Sequence, residues 1–212
     1  VRSYLKKFSN SDYNKILAAM DKIDRRFFVL DDYKNLAYLD NALSIGEGQT
    51  ISQPSAVARM LQLLELKSGI RVLEIGSGSG WNASLIAFLV EEGSVESYEI
   101  NMNLYEQAKK NLKEFNKNSE IKLVNIKFVY GNFLSFIKDE RFVRIVFTAG
   151  IKKNEEEKII KIAERNLNKN GILLCPFRIG PLIIVKNDKG RIKKDYTQEE
   201  YSFVTLTFWL FT

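Results

Sequence analysis

The stretch LEIGSGSGWN, Leu73 to Asn82, constrains this chain more than any other. An apolar run, IRVLEI, leads into Gly76, Gly78 and Gly80, and WNASLIAFLVEE follows with the character of a helix. Glycines between a buried strand and a helix let the backbone turn tightly and let a ligand approach it closely. That unit predicts a sheet whose strand ends point at a bound small molecule.

Strand and helix patterns alternate around it. SVESYEI, NIKFVYG, VRIVFTAG and GILLCPF read as strands. NLYEQAKKNLKEF reads as a helix with Leu104, Ala108, Leu112 and Phe115 on one side. NEEEKIIKIAERNL opens with three acids, which suits the positive end of a helix dipole. Upstream, SDYNKILAAMDK predicts a helix capped by Ser11, with Ile16, Leu17 and Met20 on one face. SAVARMLQLLEL predicts another, capped by Ser55, with Val57, Met60, Leu61 and Leu64 buried. Such alternation predicts an α/β fold with a mostly parallel sheet and helices on both faces.

After Cys175 the pattern changes. PLIIVKNDKGRIKKDY reads as a strand, a turn at Asp188 to Gly190 and a second strand, and YSFVTLTFWLF as one long β-prone run. These predict antiparallel edge strands and a mixed sheet. The expected organisation is a single domain over 1–212. It comprises an N-terminal helical segment and loop (1–55), a ligand-binding core (56–176) and a C-terminal β extension (177–212).

Composition removes several chemistries. The 212 residues include one cysteine and no histidine, so an intrachain disulfide is excluded and a zinc site is not expected. Cys175 lies in ILLCPF and reads as a small buried hydrophobe. The net charge is +6, but the lysines are spread along the chain among acids. That pattern predicts a solvated surface rather than a nucleic-acid patch. No run of 18 apolar residues and no signal peptide is visible, so the expectation is a soluble, cytoplasmic protein without a membrane partner.

The glycine spacing narrows the ligand. A dinucleotide fingerprint, G-x-G-x-x-G, has its third glycine one position later, where Trp81 stands. Glu74 lies two residues before the first glycine. A carboxylate about 4 Å from a pyrophosphate would cost roughly 4 kcal/mol in a surface-like dielectric. The same acid suits an ammonium group. Glu99, at the tip of the next strand, can accept both hydroxyls of a ribose. S-adenosyl-L-methionine carries an ammonium, a sulfonium, a ribose and no phosphate, and it fits. Asn132 in YGNF is either an adenine contact or an ordinary turn residue. Thr148, Ala149 and Gly150 end the fourth strand and are expected to face the ligand crevice.

At this point the chain resembles the protein-L-isoaspartate (D-aspartate) O-methyltransferase family. The resemblance is carried by AYLDNALSIGEGQTISQPSAVARMLQLLELKSGIRVLEIGSGSGWNASLIA, and continues through GSVESYEI and IVFTAG, more faintly through GILLCPF and YSFVTLTF. It implies a Rossmann-like methyltransferase fold and methyl transfer from S-adenosyl-L-methionine to the free carboxylate of L-isoaspartyl residues in damaged proteins, leaving S-adenosyl-L-homocysteine. It implies catalytic roles for Ser52 and Thr50. It implies a cofactor site of Gln49, Thr50, Glu74, Gly76, Ser77, Gly78, Gly80, Asn82, Glu99, Ile100, Gly131, Asn132, Phe133, Thr148 and Ala149. It implies a substrate grip from Ser52, Phe203, Val204 and Leu206. The chain departs from the family's usual pattern at Asn132, Val143 and Thr205, where Asp, Asp and Pro are common, and at Ser55, where a histidine is frequent. These departures mark a divergent member.

Methylating a carboxylate explains how Ser52 works without a histidine. An Asp-type acid, with a pKa near about 3.9, is already an anion at neutral pH and needs no base. Ser52 is then an aiming donor, or else a helix-capping residue. Two other readings stay open at this level. One is a methyltransferase with an RNA or small-molecule acceptor. The other is a methyltransferase-like protein that binds without catalysis. The oligomeric state is not legible.

Overall fold

A computed structural model describes residues 13–133 and 140–206. Its frame is a seven-stranded sheet. The strands are β1 (Leu43–Gly46), β2 (Gln49–Ile51), β3 (Arg71–Ile75), β4 (Ser94–Glu99), β5 (Ile126–Tyr130), β6 (Phe142–Phe147), β7 (Leu167–Pro176), β8 (Ile179–Gly180), β9 (Leu182–Asp188), β10 (Arg191–Tyr196) and β11 (Tyr201–Ser202). The helices are α1 (Tyr13–Lys22), α2 (Pro54–Leu63), α3 (Trp81–Val90), α4 (Met102–Asn118) and α5 (Glu156–Asn166). The large sheet runs β10-β9-β7-β6-β3-β4-β5. Its strands from β5 to β7 are parallel, and β9 and β10 add antiparallel partners. The predicted mixed sheet is present.

Alternation along each parallel strand builds two cores. Val72, Val95, Val146 and Leu174 pack with residues of α1 to α4, among them Ala19, Leu61, Leu85, Ile86 and Phe115. Leu73, Ile75, Ile145, Phe147, Leu173 and Cys175 face the other way and pack with Ile159, Ile162 and Ala163 of α5. Helix α3 buries most of its surface, including Trp81, Leu85, Ile86 and Val90, because α1 covers the side turned away from the sheet. A 3-10 turn, Arg25–Phe28, follows α1. Phe27 and Phe28 meet Phe115 of α4 at centroid distances of 5.7 and 5.9 Å. Each such ring pair contributes on the order of 0.5–1.5 kcal/mol beyond area burial, which fixes this turn to α4.

Helix α1 sets Ile16 in the core with Leu17 and Met20 packed against it, and buries Ala19 as well; Ser11 lies outside the described residues. Two local expectations are corrected. Ser55 does not cap α2. Pro54 occupies the first helical turn behind Gln53, which has no side-chain cap bond, and the Ser55 N–H donates to Asp40 Oδ1 at 2.8 Å. A residue from an earlier loop has taken the capping role. The C-terminal run is not one long strand within its described part. Tyr201–Ser202 pairs with β8, and Thr205 makes an isolated parallel bridge to Gly150. Phe203 to Leu206 then runs beside Gly150, whose N–H donates to Val204 O at 2.7 Å and whose carbonyl accepts from Leu206 N at 2.8 Å. A side chain at 150 would obstruct this junction, since its Cβ would lie 2.6 Å from Arg178 Cα. Thr207 to Phe211 lie outside the described residues.

Candidate active site

The sheet's strand order reverses at β3, with β4 on one side and β6 on the other. Ligands of open α/β sheets bind in the crevice beyond the strand carboxyl ends at such a point. A cavity of about 410 Å³ opens there, within the roughly 300–1,000 Å³ of small-molecule sites. Gly76, Ser77 and Gly78 reach it from the end of β3, and Glu99 and Ile100 from β4. Gly131, Asn132 and Phe133 come from the end of β5, and Thr148 and Ala149 from β6. The β1–β2 hairpin and the residue after it contribute Gln49, Thr50 and Ser52, and the C-terminal segment contributes Val204 and Leu206. Asn82 also lines it.

The glycine loop is tied to its surroundings by backbone groups. Gly76 has φ +102°, and a Cβ there would lie 2.4 Å from Thr148 Oγ1. Thr148 Oγ1 donates to the Gly76 carbonyl at 2.5 Å. Glu99 accepts three backbone N–H groups: Gly78 at 2.9 Å on Oε2, and Ile100 and Asn101 at 2.9 and 3.0 Å on Oε1. The acid is therefore aimed before any ligand arrives, with oxygen lone pairs left for a diol.

Three expected residues are not on the cavity wall. Glu74 is fully buried beneath the loop. Its Oε1 accepts from Asn82 Nδ2 at 2.8 Å, its Oε2 accepts from Ser97 Oγ, and the Ser97 and Ser77 hydroxyls are 2.6 Å apart. Burial pushes its pKa up to about 7, the Ser97 and Asn82 bonds oppose this, and the Glu99 charge adds to it. Glu74 holds the residues that form the wall, Asn82 and Ser77, rather than meeting an ammonium directly. Gly80 packs against Phe128 and Ala108, where a Cβ would come within 3.2 and 3.3 Å; close packing explains this glycine. Phe203 is buried behind Val204 and lines an adjoining groove.

Sequence reasoning missed Glu47, Trp81, Tyr98 and Asn101, all on the wall. Asn101 had a legible signal, because an Asn before a helical pattern is a capping residue; it accepts from the N–H groups of Asn103 and Leu104 at 2.9 and 3.2 Å. Glu47 sits in the hairpin turn at φ +55° and accepts from Asn101 Nδ2 at 3.0 Å and Asn103 Nδ2 at 2.9 Å. That contact crosses the mouth and holds the hairpin to the start of α4.

Among the described residues the wall carries two acids, Glu47 and Glu99, and no Lys or Arg. Such a wall favours a cationic ligand and disfavours a polyphosphate. A second groove is lined by Gly48, Gln49, Arg178, Ile179, Ser202, Phe203, Val204 and Thr205. It shares Gln49, Val204 and Thr205 with the cavity, so the two meet between the β1–β2 hairpin and the C-terminal segment. Among the described residues no group of His, Cys, Asp and Glu could hold a metal ion.

The strand order, the switch point and a wall without Lys or Arg among the described residues fit a Rossmann-like S-adenosylmethionine-dependent methyltransferase. The comparisons give the particular family. A family model described as protein-L-isoaspartate(D-aspartate) O-methyltransferase matches residues 3–208. A protein-L-isoaspartate O-methyltransferase of Thermosipho melanesiensis is 39% identical over 82% of this chain and 82% of its own length. One from Pyrococcus horikoshii is 38% identical over 84% of this chain and 79% of its own. A solved protein-L-isoaspartate O-methyltransferase superposes with TM-score 0.77 at 28% identity, over 97% of this chain and 64% of that one. A Plasmodium falciparum chain in complex with S-adenosyl-L-homocysteine shows the same fold, with TM-score 0.76 at 23% identity and 97% of each chain covered. The chain belongs to the protein-L-isoaspartate(D-aspartate) O-methyltransferase family.

Proposed function

We infer that this chain repairs damaged proteins by moving the methyl of S-adenosyl-L-methionine onto the free carboxylate of L-isoaspartyl residues. The observation that carries the site assignment is the position of Ser52. It lies on the cofactor cavity wall, next in sequence to the hairpin where the second groove joins that cavity. Among the described residues its hydroxyl makes no hydrogen bond, and its carbonyl is already taken by Arg25. The hydroxyl is free to donate to an acceptor carboxylate.

Bound S-adenosyl-L-methionine supplies an activated methyl on a positively charged sulfur. Glu99 takes the ribose hydroxyls, with its carboxylate fixed by the Gly78, Ile100 and Asn101 N–H groups. Asn132 and Phe133 are placed to receive the adenine end, and Gly76, Ser77, Asn82, Thr148 and Ala149 surround the remainder. Gln49 and Thr50 cover the cavity from the hairpin. Ser52 aims one carboxylate oxygen at the methyl, and Val204 and Leu206 exclude water on the far side. No proton transfer is required, which agrees with a chain that has no histidine and a wall that has no lysine among the described residues. Orientation of this kind supplies on the order of 7–11 kcal/mol toward the barrier.

The groove running from Gln49 past Ser202 to Arg178 is where a peptide substrate lies, gripped through backbone in the manner of an added strand. Its partners are isoaspartyl-bearing proteins and peptides. An RNA acceptor has less support, because among the described residues Arg178 is the one cation in that groove. The buried free thiol of Cys175 suits a reducing cytoplasm, and among the described residues no helix is long and apolar enough to cross a membrane.

The test is Ser52→Ala. Losing one hydrogen bond to a charged group is worth about 1.5–3 kcal/mol, so kcat on an isoaspartyl peptide should fall roughly 10- to 100-fold with cofactor affinity kept. An equal loss of cofactor affinity and thermal stability would return Ser52 to a structural role.

A further inference from the structure

We propose that Arg25 is a positioning residue for Ser52, a buried cation that sets the catalytic loop against the glycine-loop helix. This rests on the Ser52 reading above. Arg25 is 3% exposed, and an Arg that deep is ordinarily paired with an acid. Arg25 instead spends its fork on backbone carbonyls. Nη1 donates to Ala37 O at 2.9 Å and approaches Leu39 O at 3.5 Å. Nη2 donates to Asn41 O at 3.0 Å and Ser52 O at 3.0 Å, and approaches Ile51 O at 3.5 Å. One planar group thus joins the 37–41 loop to the end of the catalytic hairpin.

Its face completes the joint. The guanidinium carbon lies 5.2 Å from the Trp81 ring centroid. Trp81 is the first residue of α3, directly after the glycine loop, and its indole N–H donates to Ile23 O at 3.1 Å. The segment around Arg25 therefore grips Trp81 twice. Phe27 and Phe28, packed on Phe115, anchor that segment to α4. Through Arg25 the donor side chain at 52 is held in fixed relation to the loop that cradles the methyl donor.

Asp40 secures the other side of Ser52. It accepts from Ser55 N at 2.8 Å and from Gln53 Nε2 at 3.2 Å. Asp40 is also the acid that offsets the burial of Arg25, which is pulled down to about 10 by desolvation and remains a cation at neutral pH. The Ser52 carbonyl is thus held by a cation, and the Gln53 side chain and Ser55 N–H that follow it are held by an anion. Among the described residues the Ser52 hydroxyl makes no hydrogen bond. The geometry also requires an arginine: a lysine ammonium is a point donor and cannot span acceptors at both ends of the fork or stack flat on an indole.

A double-mutant cycle between Arg25→Lys and Ser52→Ala tests this, read by kcat on an L-isoaspartyl peptide and by Kd for S-adenosyl-L-homocysteine. The expected result is a kcat loss of about 10-fold or more for Arg25→Lys, with Kd changed less than about 2-fold. In the Ser52→Ala background the same change should cost less than about 2-fold, because the group it aims is gone. Arg25→Gln, which keeps two donors without the charge, is the second variant and should show the same pattern. Equal kcat losses in both backgrounds would overturn the proposal while leaving Ser52 catalytic. A parallel loss of Kd and kcat in both Arg25 variants would make Arg25 a general folding residue and also overturn it. A Ser52→Ala enzyme as fast as the parent would remove the Ser52 reading itself.

Discussion

Glu99 Oε2 accepts the backbone N–H of Gly78 at 2.9 Å, so the acid at the tip of β4 and the middle glycine of the loop form one unit. The carboxylate proposed to take the ribose is held by the same loop that lines the rest of the cavity. Glu99→Gln breaks both functions. Its amide can keep one oxygen on Ile100 and Asn101, but then presents N–H to the N–H of Gly78. The affinity for S-adenosyl-L-homocysteine should fall roughly 10- to 100-fold, the equivalent of one charge-assisted bond of about 1.5–3 kcal/mol. Calorimetric titration checks this, and an unchanged Kd would remove Glu99 from the site.

Gly76→Ala should be more costly to folding than to chemistry. The residue sits at φ +102°, and the new methyl would meet Thr148 Oγ1 at 2.4 Å. Backbone strain alone is about 1–3 kcal/mol. Displacing Thr148 also breaks its bond to the Gly76 carbonyl. Urea unfolding should show a loss of at least about 2 kcal/mol. Adding Thr148→Ala should recover part of it, since the clash goes and the φ penalty stays. Full recovery would show that the φ value carries no cost.

Glu74 gives the pH dependence a sign. Its pKa is raised from 4.5 to about 7 by burial. Below pH 4.5 it is protonated in both the folded and unfolded states. Between about pH 4.5 and 7 the unfolded chain releases the proton and the folded chain keeps it, so stability falls as pH rises. Above pH 7 the full cost, about 3 kcal/mol, is present. Glu74→Gln removes this slope. Unfolding free energies of parent and variant, measured at pH 4 and pH 8, should differ by about 3 kcal/mol more in the variant's favour at pH 8. A constant difference across that range would mean Glu74 is ionised in the folded protein.

The parallel core was legible because its signals are local. Leu73 and Ile75 before the glycines, and the apolar periodicity of Leu104, Ala108 and Phe115, are set by neighbours in sequence. The cavity wall was legible where a residue's position follows from its place at a strand end, as with Glu99 and Thr148. It was illegible where the partner is distant. Nothing near Ser55 shows that Asp40, fifteen residues earlier, holds its N–H. Nothing in LEIGSG shows that Glu74 faces Asn82 and Ser97 instead of the ligand. YSFVTLTF has strand propensity throughout, but its described part pairs for only two residues before Gly150 draws it toward the crevice. Propensity is local, and the partner that overrides it is not.

The central claim is acceptor identity. Two peptides identical except for L-isoaspartate or L-aspartate at one position should be offered with labelled S-adenosyl-L-methionine. The account predicts label on the isoaspartyl peptide alone. It predicts loss of that label after mild alkali, because a carboxyl methyl ester hydrolyses there. Label on neither peptide, with the cofactor still bound, would contradict the account.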